Sequence, residues 1–166
     1  MDGVGTVGPE PASEGGPKIS VGGSVSAAFE RAARYGIGWT MGGGTSDQFR
    51  EGRAVLERAW ENHGRSGRPR AGALAYYALG PEAREYADGY IHDYYGWLGD
   101  VADQIAASVA TDEETLAGYL GAFEEAGCDE LILFPCSTDV EQVDLLAAAV
   151  EGRFDRHRTR KTSRAR

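Results

Sequence analysis

The chain has 166 residues, of which 42% are hydrophobic and 26% charged, which suits one globular domain with a core and excludes a chain disordered throughout. The formal net charge is −9, but residues 1–152 hold 10 basic and 25 acidic side chains, which makes this part −15. Because this part of the chain is so acidic, it should repel polyanions, and nucleic acid is not an expected partner. No run approaches the roughly 18 apolar residues of a membrane helix. The two cysteines, Cys128 and Cys136, predict neither a disulfide framework nor a cysteine zinc site, and we expect a cytoplasmic protein.

The first segment, residues 1–17, is rich in glycine and proline and has no hydrophobic period, which predicts a loop or linker. Within it, Gly3, Gly5 and Gly8 spell the dinucleotide-binding pattern G-x-G-x-x-G. No strand precedes these glycines, and Pro9 stands where the phosphate-binding helix would begin. The pattern therefore does not predict a dinucleotide site.

From residue 18 the chain alternates between predicted strands and helices. A strand over 18–21 ends at two glycines, and Ser24 is the expected cap of a helix that runs to about Arg34. A second strand over 37–41 is followed by three glycines. A capping box that begins at Thr45 then opens a helix to about Asn62.

The second half of the chain repeats this order. A strand over 71–79 leads into a long, aromatic-rich helical region that Gly96 and Gly99 are expected to split. A capping box at Thr111 opens a helix that ends before Gly127, and a fourth strand follows over 130–135. A third capping box at Thr138 opens the last helix. The predicted domain thus covers 18–152, and the strongly basic 153–166 are expected to be a disordered tail.

Four consecutive strand–helix units predict an α/β fold with a parallel sheet and right-handed crossovers. The strands read as nearly continuous apolar runs, as strands buried on both faces do. Two architectures remain open at this point. One is a doubly wound open sheet, and the other is part of a (β/α)₈ barrel, which normally needs about 250 residues.

Both architectures place ligands at the carboxyl ends of the strands. There, Gly22, Gly23 and Ser24 lie between a strand and a helix N-terminus, and Gly42 and Gly43 repeat the arrangement one unit later. Glycines let a phosphate approach the backbone, and the free amides and dipole of a helix favour an anion. The alternative is that both segments are ordinary tight turns with helix caps.

Other chemistry has little support in the sequence. There is no nucleophile elbow, P-loop or H-E-x-x-H motif. The three histidines, His63, His92 and His157, have no metal-ligating partner at helical spacing, so no metal site is predicted. Cys136 is expected to be a buried bystander, and the aromatic side chains of 86–97 are expected to pack a helix face rather than hold a planar ligand.

The ordered set of segments resembles the bacterial luciferase-like family of flavin- and deazaflavin-dependent monooxygenases and reductases. The first feature is the run PKISVGGS over residues 17–24, followed by Ala27-Ala28 and then RAARYGIGW over residues 31–39. Three later features agree with it, and the resemblance extends over roughly residues 9–150. They are Gly42-Gly43 before Asp47-Gln48-Phe49, the strand that ends at Leu79-Gly80, and the stretch EAGCDELILFP over residues 125–135.

The resemblance implies the C-terminal half of a TIM-type (β/α)₈ barrel. It also implies that either reduced FMN or the deazaflavin coenzyme F420 binds at the C-terminal face, with its phosphate on Gly22, Gly23 and Ser24 and also near Gly42 and Gly43. The implied reaction oxygenates a small organic substrate with dioxygen or transfers a hydride.

The first four βα units of such a barrel have no counterpart here, so the expectation is a truncated enzyme that is inactive alone, with no assignable catalytic residue. It would pair with a missing N-terminal half or self-associate through free sheet edges. The alternative function is a non-catalytic α/β module that binds a phosphorylated ligand.

Overall fold

The computed structural model describes residue 8 and residues 12–151, so the predicted tail at 153–166 and much of the predicted loop at 1–17 lie outside the described residues. The elements agree with the predicted strand–helix order, with boundaries shifted by a few residues. They are β1 (Ser20–Gly22), α1 (Ser26–Tyr35), β2 (Gly38–Met41), α2 (Ser46–Asn62), β3 (Arg70–Tyr77), α3 (Ala83–Tyr95), α4 (Asp100–Ala107), α5 (Glu113–Glu125) and β4 (Glu130–Pro135). A helix over 141–151, here called α6, follows β4. Within the described part, no helix is long and apolar enough to cross a membrane.

The four strands form one parallel sheet in chain order, β1-β2-β3-β4. A doubly wound sheet reverses its strand order at a switch point, and this sheet has no such reversal. The order is that of one side of a (β/α)₈ barrel. It confirms the half-barrel that the family resemblance implied, where the strand pattern alone left two architectures open.

The main core lies between the sheet and the helices that cover its outer face. Trp39 of β2 is its centre, with ring centroids 5.1 Å from Phe29 of α1 and 5.7 Å from Phe49 of α2. Phe49 in turn contacts Phe123 of α5 at 5.7 Å. Aromatic residues of three helices thus form one connected cluster with Trp39, which holds α1, α2 and α5 against the sheet.

The other face of the sheet, here called the inner face, is partly covered by α3 near the carboxyl ends of the strands. Ser20 and Thr40 share a hydrogen bond of 2.8 Å on this face, and Arg70 pairs with Glu130 at 3.1 Å. Nearer the carboxyl ends of the strands the face becomes apolar, and Phe134 is 41% exposed. The edge strands of the described sheet, β1 and β4, each have one unpaired side.

Three helix starts differ from the predicted caps. Ser24 was the expected cap of α1, but the helix begins one residue later with Val25 as its N-cap and no side-chain hydrogen bond. In α5, Asp112 replaces the expected Thr111, and its carboxylate accepts from the amide of Thr115 at 2.8 Å. That bond and a second from the Thr115 hydroxyl hold the pKa of Asp112 below its usual range.

The third difference, at the start of α6, is like that in α5, because an aspartate again takes the place of the expected threonine. Asp139, and not the expected Thr138, accepts from the amide of Glu141 at 3.0 Å where α6 begins. A carboxylate is a stronger acceptor than a hydroxyl and also gains from the positive end of the helix dipole. By contrast, the predicted box at Thr45 is confirmed, with Gln48 as its reciprocal partner.

Helices α3 and α4 form a hairpin between β3 and α5, split at the two predicted glycines. Gly99 has a φ of +58°, and a 3₁₀ turn over Gly96–Leu98 joins the helices. His92 bridges them, since its Nε2 lies 2.8 Å from a carboxylate oxygen of Asp103 and its Nδ1 lies 2.7 Å from the carbonyl oxygen of Asp88. The hydrogen bond with Asp103 is the main reason that the pKa of His92 is raised.

This bridge predicts a pH-dependent contact. A histidine whose pKa is higher folded than unfolded stabilises the fold fully at low pH, and the contribution is lost as the pH rises through the folded pKa. We expect Asp103→Asn to bring the pKa of His92 back towards its ordinary value, whereas Asp100→Asn, in the same helix, should change it little. An NMR titration of the imidazole checks this, and an identical His92 pKa in the wild type and Asp103→Asn would contradict it.

Candidate functional site

The five residues expected to hold a phosphate lie at the carboxyl edge of the sheet. They are Gly22, Gly23, Ser24, Gly42 and Gly43, and all are exposed. Gly22 pairs with Thr40, so the β1–α1 and β2–α2 loops leave neighbouring strands at the same height. The structure therefore brings the two predicted segments to one edge.

The first loop needs glycine at residue 23. Gly23 has a φ of +112°, a region that other residues rarely adopt, and a Cβ there would lie 3.1 Å from the Cβ of Ala28. Its carbonyl oxygen accepts from the indole Nε1 of Trp39 at 2.6 Å. The central residue of the core thus also holds this loop in place.

The N-terminus of α1 is free to receive an anion. Its N-cap, Val25, has no side-chain acceptor, and the first turn contains no acidic residue. The amide of Ala28 is used by the carbonyl of Val25 at 2.8 Å, but the earlier amides of a helix have no partner inside it. These amides and the positive end of the dipole lie beside Gly22, Gly23 and Ser24.

At the N-terminus of α2, side chains of the protein already bind the helix amides and offset the positive end of the helix dipole. The Thr45 hydroxyl accepts from the amide of Gln48 at 3.2 Å, and the Gln48 side chain accepts from the amide of Thr45 at 2.9 Å. Asp47 adds a negative charge in the first turn and pairs with Arg50 at 2.5 Å. The two glycine loops therefore differ electrostatically, although they look alike in sequence.

The second loop has open space around its glycines. A Cβ built on Gly42 or Gly43 would meet no atom within 4 Å. On its other side, this loop lines a cavity of about 620 Å³ that extends to β3, α4 and α5. Gly42 and Gly43 border the cavity, whereas Gly22, Gly23 and Ser24 do not.

The aromatic side chains of 86–97 were expected to pack a helix face, and only some of them do so. Tyr95 packs as expected, but it also lines the cavity, where its hydroxyl lies 2.9 Å from that of Tyr76. Burial, and then this hydrogen bond, raise the pKa of Tyr76 well above its usual range. Tyr94 and Trp97, expected to pack, are 62% and 79% exposed. The aromatic segment thus serves a core, a cavity wall and a surface.

Cys136 is buried, as expected. Burial raises the pKa of its thiol to about 11, so the thiol is protonated at neutral pH and is a poor nucleophile. Among the described residues, no group of three His, Cys, Asp or Glu side chains could hold a metal ion.

Two residues near the site were missed in the sequence. Tyr119 of α5 lines the cavity, and its hydroxyl donates to the carbonyl of Ser108 at 2.5 Å. Gln142 of α6 is 3% exposed and hydrogen-bonds both the amide and the carbonyl of Leu79, which follows β3. A polar residue one turn before the apolar residues of α6 was the signal that could have identified Gln142.

Comparisons with known proteins agree on one family. Residues 4–156 match the family model described as luciferase-like monooxygenase. No curated protein sequence matches the chain significantly. Many solved structures do, and at 15–18% identity the three described next show the fold alone.

Three of these solved structures represent the set. A long-chain alkane monooxygenase (LadA) has a TM-score of 0.63 and 15% identity, over 86% of this chain and 42% of its own. An F420-dependent secondary alcohol dehydrogenase in complex with an F420-acetone adduct has a TM-score of 0.59 and 18% identity, over 79% of this chain and 46% of its own. A coenzyme F420 dependent tetrahydromethanopterin reductase from Methanopyrus kandleri has a TM-score of 0.51 and 16% identity, over 71% of this chain and 45% of its own. The chain therefore spans about half the length of these structures.

Proposed function

This chain belongs to the luciferase-like monooxygenase family, and on that premise we propose that it holds the phosphate group of a flavin-type cofactor for an oxidoreductase. The cofactor is FMN or the deazaflavin F420, and both carry a phosphate. Two of the similar structures are named as F420-dependent enzymes and one as a monooxygenase, which supports the class and leaves both cofactors as candidates. Such a cofactor, when bound, supplies hydride transfer or dioxygen activation, and the protein binds and orients it.

One observation carries the proposal: the N-terminus of α1 has neither a capping side chain nor an acidic residue in its first turn. Gly22 and Gly23 let a phosphate approach the backbone, and the Ser24 hydroxyl adds one donor. Gly42 and Gly43 leave room beside it on the next loop. The binding groups are local, which matters because residues 1–152 carry −15.

The same proposal assigns little of the affinity to basic side chains. Arg50 is paired with Asp47. Lys18 precedes β1 and so lies at the opposite end of the strand from the loop. We therefore expect backbone amides to supply most of the affinity, and we assign no catalytic residue within this chain.

A partner that completes the barrel is the remaining part of the proposal. The exposed apolar part of the inner sheet face, with Phe134 41% and Ile132 38% exposed, and the free sides of β1 and β4 support it. A second group of four βα units, pairing with both edges, would cover this face and close the sheet.

The phosphate site can be tested with a charge placed where the anion would bind. Ala27 is exposed in the first turn of α1, and Ala27→Asp should stabilise the helix by about 0.3–1 kcal/mol while it repels a phosphate. In calorimetry, we expect the wild type to bind FMN about tenfold or more tightly than riboflavin, which lacks the phosphate. Ala27→Asp should remove this difference, and F420 serves as the third ligand.

Ala148→Asp is the matched control, since it adds the same charge at an exposed residue of α6. Ser24→Ala should cost about 1 kcal/mol, one ordinary hydrogen bond. Gly23→Val should abolish binding, but it also strains the loop at a φ of +112°, so Ala27→Asp is the cleaner variant. Equal affinities for FMN and riboflavin, or an unchanged difference in Ala27→Asp, would place the phosphate elsewhere or nowhere.

A further inference from the structure

The cavity beside the second glycine loop has the properties of a small-molecule site. Its volume of about 620 Å³ lies in the range of ligand pockets, roughly 300–1,000 Å³. Val101 and Ile105 of α4 and Phe123 of α5 form apolar walls, and none of the described residues that line the cavity is charged. A ligand enclosed here would meet aliphatic and aromatic surface and no countercharge.

The polar groups of the wall are few, and most are already used. The hydroxyls of Tyr76 and Tyr95 pair with each other, and that of Tyr119 donates to a backbone carbonyl. Among the residues that the structure describes, the Gln104 amide and the Ser46 hydroxyl are the wall side chains without a hydrogen-bond partner. They can serve one polar group of a ligand whose remainder is apolar.

The cavity is not suited to an anion, although the N-terminus of α2 borders it. That terminus is satisfied by the reciprocal bonds of Thr45 and Gln48, and Asp47 places a carboxylate in its first turn. An anionic group enclosed here would lose its hydration without gaining a cation. The anion-binding features belong instead to α1, whose loop lies outside the cavity.

We propose that this cavity is the substrate pocket and that it takes an uncharged compound with an apolar, planar or chain-like body and one hydrogen-bonding group. The inference rests on the proposed function, because it divides the ligands of one oxidoreductase between two neighbouring loops. The charged cofactor phosphate binds on the α1 side, and the uncharged substrate binds on the α4 side. Val101 is 47% exposed and Gln104 is exposed, so the entrance lies along α4.

A pair of probes of one shape tests this on the full 166-residue chain. Naphthalene-2-carboxamide is uncharged, and naphthalene-2-carboxylate is an anion at neutral pH. We expect the carboxamide to bind, followed by NMR shifts of cavity residues, and the carboxylate to bind about tenfold or more weakly. Gln104→Ala should weaken carboxamide binding by about two- to tenfold, the loss of one hydrogen bond.

A cavity-filling variant locates the probe. Ala122 of α5 lines the cavity, and Ala122→Leu should weaken carboxamide binding by about tenfold or more because the added methyl groups occupy its space. Ala107→Leu is the matched control, since Ala107 is exposed on α4 and does not line the cavity. Urea denaturation of both variants verifies that they are folded.

The outcomes separate this inference from the phosphate site. Ala27→Asp should leave carboxamide binding unchanged, and Ala122→Leu should leave the FMN-over-riboflavin preference unchanged. Equal binding of the two naphthalene probes, or equal binding by the wild type and Ala122→Leu, would overturn the proposal. Displacement of the carboxamide by lumichrome, an uncharged flavin ring, with Ala122→Leu weakening lumichrome equally, would assign the cavity to the cofactor ring and overturn it as well.

Discussion

Gly38→Ala is expected to lower the free energy of unfolding by about 3 kcal/mol or more, or to prevent folding. A Cβ on Gly38 would lie 1.8 Å from the carbonyl oxygen of Arg70 and 2.6 and 2.8 Å from its carbonyl carbon and amide nitrogen. All three atoms are backbone of the neighbouring strand, so no side chain can rotate away. Relief requires β2 and β3 to separate, and β2 leads directly into the loop of Gly42 and Gly43.

Gly89→Ala is the control for this prediction, and its sign is opposite. Gly89 is exposed within α3, and a Cβ there would meet no atom within 4 Å. Alanine in a helix interior should therefore stabilise the protein by about 0.5–1 kcal/mol. Urea denaturation measures both variants, and a Gly38→Ala protein within about 0.5 kcal/mol of the wild type would refute the clash.

Gln142→Leu is the second substitution with a large expected effect, a loss of about 2–4 kcal/mol in the free energy of unfolding. The Gln142 side chain accepts from the amide of Leu79 at 2.9 Å and donates to its carbonyl oxygen at 2.8 Å. Leucine has a similar volume but would leave both buried backbone groups without a partner. The segment that follows β3 would lose two hydrogen bonds to α6, although the bond from the Tyr77 hydroxyl to the carbonyl oxygen of residue 142 would remain.

Asp144→Leu separates this loss from a general effect of leucine in α6. Asp144 is exposed in the same helix, and its replacement should change the free energy of unfolding by less than about 0.5 kcal/mol. Hydrogen exchange gives a second readout, because the amide of Leu79 should exchange faster in Gln142→Leu than in Asp144→Leu. Unchanged exchange of that amide would show that the hydrogen bond does not protect it.

Local patterns predicted some helix starts and missed others, for a physical reason. The box at Thr45 was correct, and Gln48 is its reciprocal partner. At α5 and α6 a threonine and an aspartate are adjacent, and the pattern alone could not decide between them. The structure uses Asp112 and Asp139, since the carboxylate is the better acceptor at a positive helix end.

The sequence by itself determined the order of strands and helices, the family and the two glycine loops at the carboxyl edge. These follow from features within a few residues of one another: apolar runs, glycines and caps. The strand pattern alone left open whether the sheet is doubly wound or barrel-like, because that depends on which strands pair across 18 or more residues. The family resemblance implied the barrel, and the observed strand order confirms it.

The tertiary structure also decided how the two loops differ. Gly22-Gly23-Ser24 and Gly42-Gly43-Gly44 are equivalent as sequence, yet Trp39 holds the first loop from a neighbouring strand, and α4 and α5 enclose a cavity beside the second. Tyr119 lines the cavity from α5, and Gln142 of α6 holds the segment after β3, so both act from helices far along the chain. Contacts of this kind join residues that are distant in sequence, and no local pattern records which side chains will meet.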